Sequence, residues 1–201
     1  AQFYMAEARF ARGEYILAAY EYDVLLRTMP TSEYIRQARF RKATSYYESS
    51  PSSTLDQEFT RKAIEEYQTF LEYHATDTLA SAADSRIRGL TAKLAQKEFD
   101  SGIIYLKMSY NKAATYYFDL VLEEYHDTPF AEPAHIRKAE ALINRKRFDE
   151  AETVLARFLQ RYPSSELCPE ADQLSRDARD GKAKKIQDTD STRQGASSHG
   201  S

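Results

Sequence analysis

The chain has 201 residues, 42% hydrophobic and 29% charged, enough for one sizeable folded unit or two small ones. Its net charge of −3 supplies no basic face for nucleic acid, and only 6 Gly and 6 Pro argue against a turn-rich all-β fold. No apolar run approaches the roughly 18 residues that a membrane span needs.

The first residues are already helical in pattern, with Phe3, Met5, Ala6 and Phe10 on one stripe. There is no starting Met and no signal peptide, so the chain reads as a mature fragment cut inside or beside a repeat. From there one pattern recurs four times: Tyr15, Ala18, Tyr22, Leu25; Thr60, Ala63, Tyr67, Phe70; Tyr110, Ala113, Tyr117, Leu120; Phe148, Ala151, Leu155, Phe158. These offsets fall on one stripe of a helix, and the recurring alanine marks a close helix crossing. The anchors Ala18, Ala63, Ala113 and Ala151 are 45, 50 and 38 residues apart, longer than the common 34-residue helical repeat.

Twelve residues past the anchors stand Pro30, Ala75, Tyr125 and Pro163, where each second helix is expected to end. Thr31 and Ser32, Asp77 and Thr78, Thr128, and Ser164 and Ser165 then offer capping oxygens. Upstream helices carry Ala6, Ala43, Ser101 and Ala139 as matching small residues. The insert from Ser49 to Ser53 is a loop, and Thr54 with Gln57 predicts a capping box for the helix after it. Residues 80–107 read as one long helix, with Gly102 where a kink would fall.

The predicted fold is all-α: a tetratricopeptide-like α-α superhelix of about four helix pairs plus a C-terminal helix. Repeats are expected at about 1–30, 34–75, 79–126 and 130–163, with a capping helix at 165–179. Residues 181–201 are polar and predicted to be a disordered tail, outside the solenoid of 1–180. The tyrosines Tyr22, Tyr67 and Tyr117 are assigned to packing between helices.

Such stacks bind peptides or partner helices in the groove lined by their first helices. Arg9, Arg12, Arg36, Arg39, Tyr46 and Arg86 are the candidate groove residues, for a peptide carboxylate or an acidic segment. An ordinary solvated helix face is the competing reading of the same cations. Cys168, the only cysteine, has no assignable basic partner, and His74, His126, His135 and His199 show no metal-ligand spacing. There is no phosphate-cradling glycine loop and no nucleophile elbow. No enzyme, cofactor or metal is expected.

Four stretches carry a more specific signal: Ala11 to Tyr20; Ala43 to Pro51 followed by Leu55 to Ile64; Leu94 to Phe99 with Tyr105; and Ala151 to Pro163. Together they resemble the BamD family of outer-membrane assembly lipoproteins, in its Bacteroidetes–Chlorobi forms, over nearly all of residues 1–175. Met108-Ser109 stands where that family has a glycine-containing turn, and Ala75 and His126 replace parts of its Tyr-Pro helix ends. The lipid-bearing cysteine and first repeat of the family are missing here. The resemblance implies a subunit of the β-barrel assembly machinery on the periplasmic face of the outer membrane, attached only through a lipid anchor. It implies that the groove of residues 1–50 receives unfolded β-barrel clients or their C-terminal peptides. It further implies that residues 95–165 dock the periplasmic (POTRA) domain of BamA. The alternative is another periplasmic repeat scaffold, such as a Tol–Pal-associated coordinator of cell constriction.

Overall fold

The computed structural model describes residues 1–197, and among them it contains helices and no strand. The helices are α1 (Gln2–Ala11), α2 (Tyr15–Thr28), α3 (Ile35–Ser49), α4 (Glu58–Tyr73), α5 (Ala80–Lys107), α6 (Asn111–Glu124), α7 (Ala131–Asn144), α8 (Phe148–Arg161) and α9 (Cys168–Ser197). They form an all-α, tetratricopeptide-like array divided into two compact units, Ala1–Lys97 and Glu98–Ser201. In the first, α1 packs on α2, α2 on α3 and α3 on α4; in the second, α6 packs on α7, α7 on α8, and α9 on both α7 and α8.

Small residues set these crossings. Ala18, Ala63 and Ala151 are wholly buried. In the third repeat the buried alanine is Ala114, and Ala113 is partly exposed, so the predicted phase is one residue out. The pattern there runs from Asn111, the first residue of α6, through Ala114, Phe118 and Val121. Tyr117 and Leu120, assigned to the core from sequence, are only partly buried. The paired residues Ala113-Ala114 and Tyr117-Phe118 fit either phase, and the aromatic Tyr110 favoured the wrong one.

The corrected phase brings every other position into register. Twelve residues before Ala114 is Gly102, not Ser101, and an added Cβ at Gly102 would lie 2.6 Å from the Phe118 ring. Gly102 is thus where α5 needs no side chain at all. Twenty residues past each anchor stand Ala38, Ala83, Ala134 and Ala171, every one fully buried on the first helix of the following pair. Each anchor therefore has a small partner both before and after it.

The links between pairs are also constant. Ser32 donates its N–H to Met29 and accepts from Ile35; Asp77, Thr128 and Ser165 do the same with their own neighbours. The side-chain oxygens predicted as helix caps instead serve this turn. Asp77 accepts from the Leu79 N–H at 2.8 Å, whereas Thr128 donates to the Tyr125 carbonyl at 2.7 Å. Within the pairs, α1–α2, α5–α6 and α7–α8 turn through one residue of positive φ: Gly13 (76°), Ser109 (62°) and Lys146 (58°). The N–H groups of Glu14, Tyr110 and Arg147 each reach back five residues, the closing bond of a Schellman motif.

The α3–α4 link departs from this rule because of its insert. Thr54 and Gln57 do not form a capping box. Gln57 is 1% exposed and donates to the carbonyls of Ser52 and Leu55, while accepting from the Thr60 hydroxyl at 2.7 Å. The buried amide satisfies its own hydrogen-bonding groups by tying Thr60 to the insert, rather than by capping α4. Asp56 instead accepts from the Glu58 N–H at 2.9 Å.

The last helix runs past the expected cap at 165–179 into the residues expected to form a tail. α9 begins at Cys168 and continues through Ser197, where sequence composition argued for a disordered stretch from 181. Polarity excludes a core but not a helix docked by one face. Gly181 lies against the Phe148 ring, Arg179 pairs with Glu152 at 3.0 Å, and Lys182 pairs with Asp149. Residues 198–201, the remainder of that predicted tail, lie outside the described residues.

Two substitutions test these contacts. Gly102→Ala should destabilise the protein by about 1–3 kcal/mol through overpacking against Phe118, read as a lower denaturation midpoint at unchanged slope. Lys146→Gly should stabilise it by roughly 1 kcal/mol, by relieving a left-handed backbone that non-glycine residues adopt at a cost.

Candidate protein-binding surfaces

In the first unit, α1, α3 and α5 share a groove of about 430 Å³. Phe3, Phe40 and Leu79 give it apolar walls, and Glu7, Gln37, Arg41, Thr44 and Arg86 its polar groups. The charges are held in place. Glu7 accepts hydrogen bonds from Tyr22 and from Arg41 at 2.8 Å, and burial beside that carboxylate drives the Tyr22 hydroxyl far above the ordinary tyrosine range. Arg86 donates to Thr44 at 2.8 Å and to Tyr67, with its guanidinium 5.3 Å from the Phe40 ring and 4.9 Å from the Tyr47 ring. Fixing both side chains in advance lowers the entropy that a ligand must pay to order them.

Of the six groove residues expected from sequence, only Arg86 lines this groove. Arg9 pairs with Glu14 and Glu21, Arg12 with Glu14, and Arg36 with Asp77 at 2.8 Å. Arg39 lies over the Tyr73 ring at 4.1 Å, and Tyr46 stacks on Phe59. Their partners sit on the second helices and the links, so these cations brace the unit. Arg41 lines the groove, where Arg36 and Arg39 were expected. The signal that could have found it is the carboxylate Glu7, on the preceding first helix. Lys42 shows the same bracing. Burial pulls against its charge, but hydrogen bonds to Asp23 and Glu66 outweigh that and hold its pKa above the ordinary lysine range.

Two surface features stand out among the described residues of the second unit. One, of about 830 Å³, lies at the α5–α6 turn among Tyr105, Tyr110, Tyr116 and Tyr117, with Lys112 and Arg145 at its wall. The other, of about 290 Å³, lies between α7, α8 and the end of α6. It contains His135, whose Nδ1 is buried without a hydrogen-bond partner. Burial, reinforced by Lys138, Arg161 and Arg157, holds that imidazole down to about 4. Among the described residues no group of three or more His, Cys, Asp or Glu is placed to hold a metal ion, and no helix is long and apolar enough to cross a membrane.

With this geometry in view, comparison with known proteins identifies one family. The sequence model of YfiO, described as an outer membrane lipoprotein, matches residues 1–153. A solved structure, the TPR2AB domain of yeast Sti1 in its pHSP90 complex, is similar at 20% identity, covering 89% of this chain and 84% of that one, with a TM-score of 0.34. No curated protein matches the chain.

His135 gives the second unit a testable acid response. The unfolded chain takes up a proton on this imidazole near pH 6.5, and the folded chain only near 4. Protonation therefore favours unfolding. This contribution to stability is complete above pH 6.5 and is lost as pH falls toward 4. His135→Leu should flatten the fall in denaturation midpoint over that interval, relative to the parent chain.

Proposed function

The chain belongs to the YfiO family of outer membrane lipoproteins, and from that premise we propose that it works by binding proteins rather than by catalysis, as a component of the machinery that assembles outer-membrane β-barrels. In this reading the first unit receives extended segments of unfolded barrel clients, including their C-terminal peptides. Residues 95–165 dock the periplasmic domain of BamA.

The observation that carries the reading is the α1–α3–α5 groove. An unfolded β-barrel segment alternates apolar and polar side chains and leaves its backbone groups unpaired. Phe3, Phe40 and Leu79 offer apolar contact for one set of side chains, while Gln37, Arg41 and Arg86 offer hydrogen bonds to the backbone or a terminal carboxylate. Repeat scaffolds present this kind of surface to extended ligands. Family membership supplies the cellular setting. It also favours this reading over a Tol–Pal-associated scaffold, for which no observation speaks.

Gln37 is exposed on the groove face of α3, so Gln37→Trp fills the groove without entering the core. Fluorescence anisotropy with a labelled C-terminal peptide of an outer-membrane β-barrel should show binding weakened about tenfold or more, a loss of about 1.4 kcal/mol. Equal affinity in the two proteins would remove the groove from client binding. Separately, capture from solubilised outer membranes should recover BamA with the parent chain, and its consistent absence would defeat the docking assignment.

A further inference from the structure

The α5–α6 turn places four tyrosine rings in one continuous row. Tyr105 stacks on Tyr117 with centroids 5.2 Å apart, Tyr110 approaches Tyr105 at 6.4 Å, and Tyr116 meets Tyr117 edge-on at 5.4 Å. The inner pair is fixed by mutual packing. Burial and the neighbouring Tyr105 raise the Tyr117 pKa, so its hydroxyl stays neutral. The outer pair is open: Tyr110 is 58% and Tyr116 60% exposed. Large apolar side chains concentrated in this way around a cavity of about 830 Å³ mark an interaction surface, not ordinary scattered exposure.

The charge around this cavity is one-sided. No carboxylate lines it, whereas Lys112 and Arg145 both do. Neither makes an ion pair among the described residues, and the Arg145 guanidinium donates to the Thr115 hydroxyl at 3.0 Å. In the first unit Arg9, Arg12, Arg36, Arg41 and Lys42 have carboxylate partners, while Arg86 is held by the Thr44 and Tyr67 hydroxyls. In a chain of net charge −3, two cations without counter-ions beside an aromatic row call for an anionic partner. Tyr and Arg are also the residue types that most often carry binding energy at protein interfaces.

We propose that this pocket docks an extended acidic segment of a partner protein, which lays an apolar side chain between Tyr110 and Tyr116 and turns its carboxylates to Lys112 and Arg145. This rests on the reading of the chain as a protein-binding scaffold, but it assigns a site and a ligand chemistry separate from the groove of the first unit. A protein segment fits better than a membrane surface, because only two cations, Lys112 and Arg145, line the row of rings. Binding to lipid would need a broader basic face.

The test uses the full chain and a short fluorescein-labelled peptide in which Glu and Asp alternate with Leu and Phe, with a lysine-for-acid counterpart as control. The acidic peptide should bind saturably and more weakly as salt rises, and the lysine peptide should not bind. Lys112→Gln with Arg145→Gln should weaken binding about tenfold, and Tyr116→Ala, a change at an exposed ring, should do the same without altering the thermal melt. Gln37→Trp should leave this affinity unchanged. Equal binding of both peptides, indifference to Tyr116→Ala and the double variant, or binding of phosphatidylglycerol vesicles in place of the acidic peptide would each overturn the proposal. Loss of peptide binding in Gln37→Trp would also overturn it, while leaving the client groove intact. Failure to recover BamA from membranes, with the tyrosine-dependent binding preserved, would count against the BamA assignment alone.

Discussion

Backbone approach at the helix crossings is the constraint on which the rest of the molecule depends. Two helices come close only where one or both carry a small side chain or none, and Ala6, Ala43, Gly102 and Ala139 supply that on the first helices. Ala18, Ala63, Ala114 and Ala151 supply it on the second. The large residues then fill what the alanines leave open: Tyr22, Tyr67, Phe118 and Leu155 are all fully buried four residues beyond their anchors. Burial of one such side chain contributes about 1.5–3 kcal/mol, and this recurs in each repeat. The twenty-residue step to Ala38, Ala83, Ala134 and Ala171 carries the same economy into the next pair.

This periodicity was legible in the sequence because it needs only residue size at fixed spacing. The helices, their order and most of their ends followed from it. It failed by one residue in α6, where doubled alanines and doubled aromatics made two phases equivalent by size. The step to Ala134 resolves the ambiguity, since the same distance from Ala113 ends on Pro133. The docking of α9 at Arg179, Gly181 and Lys182 was hidden for another reason. Composition reports whether a segment can build a core, whereas α9 needs only one face against Phe148, Asp149 and Glu152.

The binding surfaces were less legible, because a cation's role depends on its neighbour in space. Arg36 and Arg41 are alike in sequence, one helical turn and a half apart on α3. One turns to Asp77 in the link, the other to Glu7 across the groove. Pairing of this kind leaves the first unit with an apolar-walled groove in which Glu7 offsets Arg41 and Arg86 is held by hydroxyls and rings. In the second unit, Lys112 and Arg145 keep their charge uncompensated beside the tyrosine row. The two units thus offer different chemistry from the same repeat grammar, which suits a scaffold that engages more than one polypeptide at once.

The sameness of the links at Ser32, Asp77, Thr128 and Ser165 has a consequence for how such a molecule can change. Every joint presents the same ends in the same backbone geometry, although the spans between them differ in length. A whole span could be duplicated or removed by recombination at two joints without inventing a new connection. The alanine twenty residues beyond each anchor would find its counterpart in whichever neighbour arrived. Length and ligand surfaces can therefore evolve while the hinges of the assembly stay fixed.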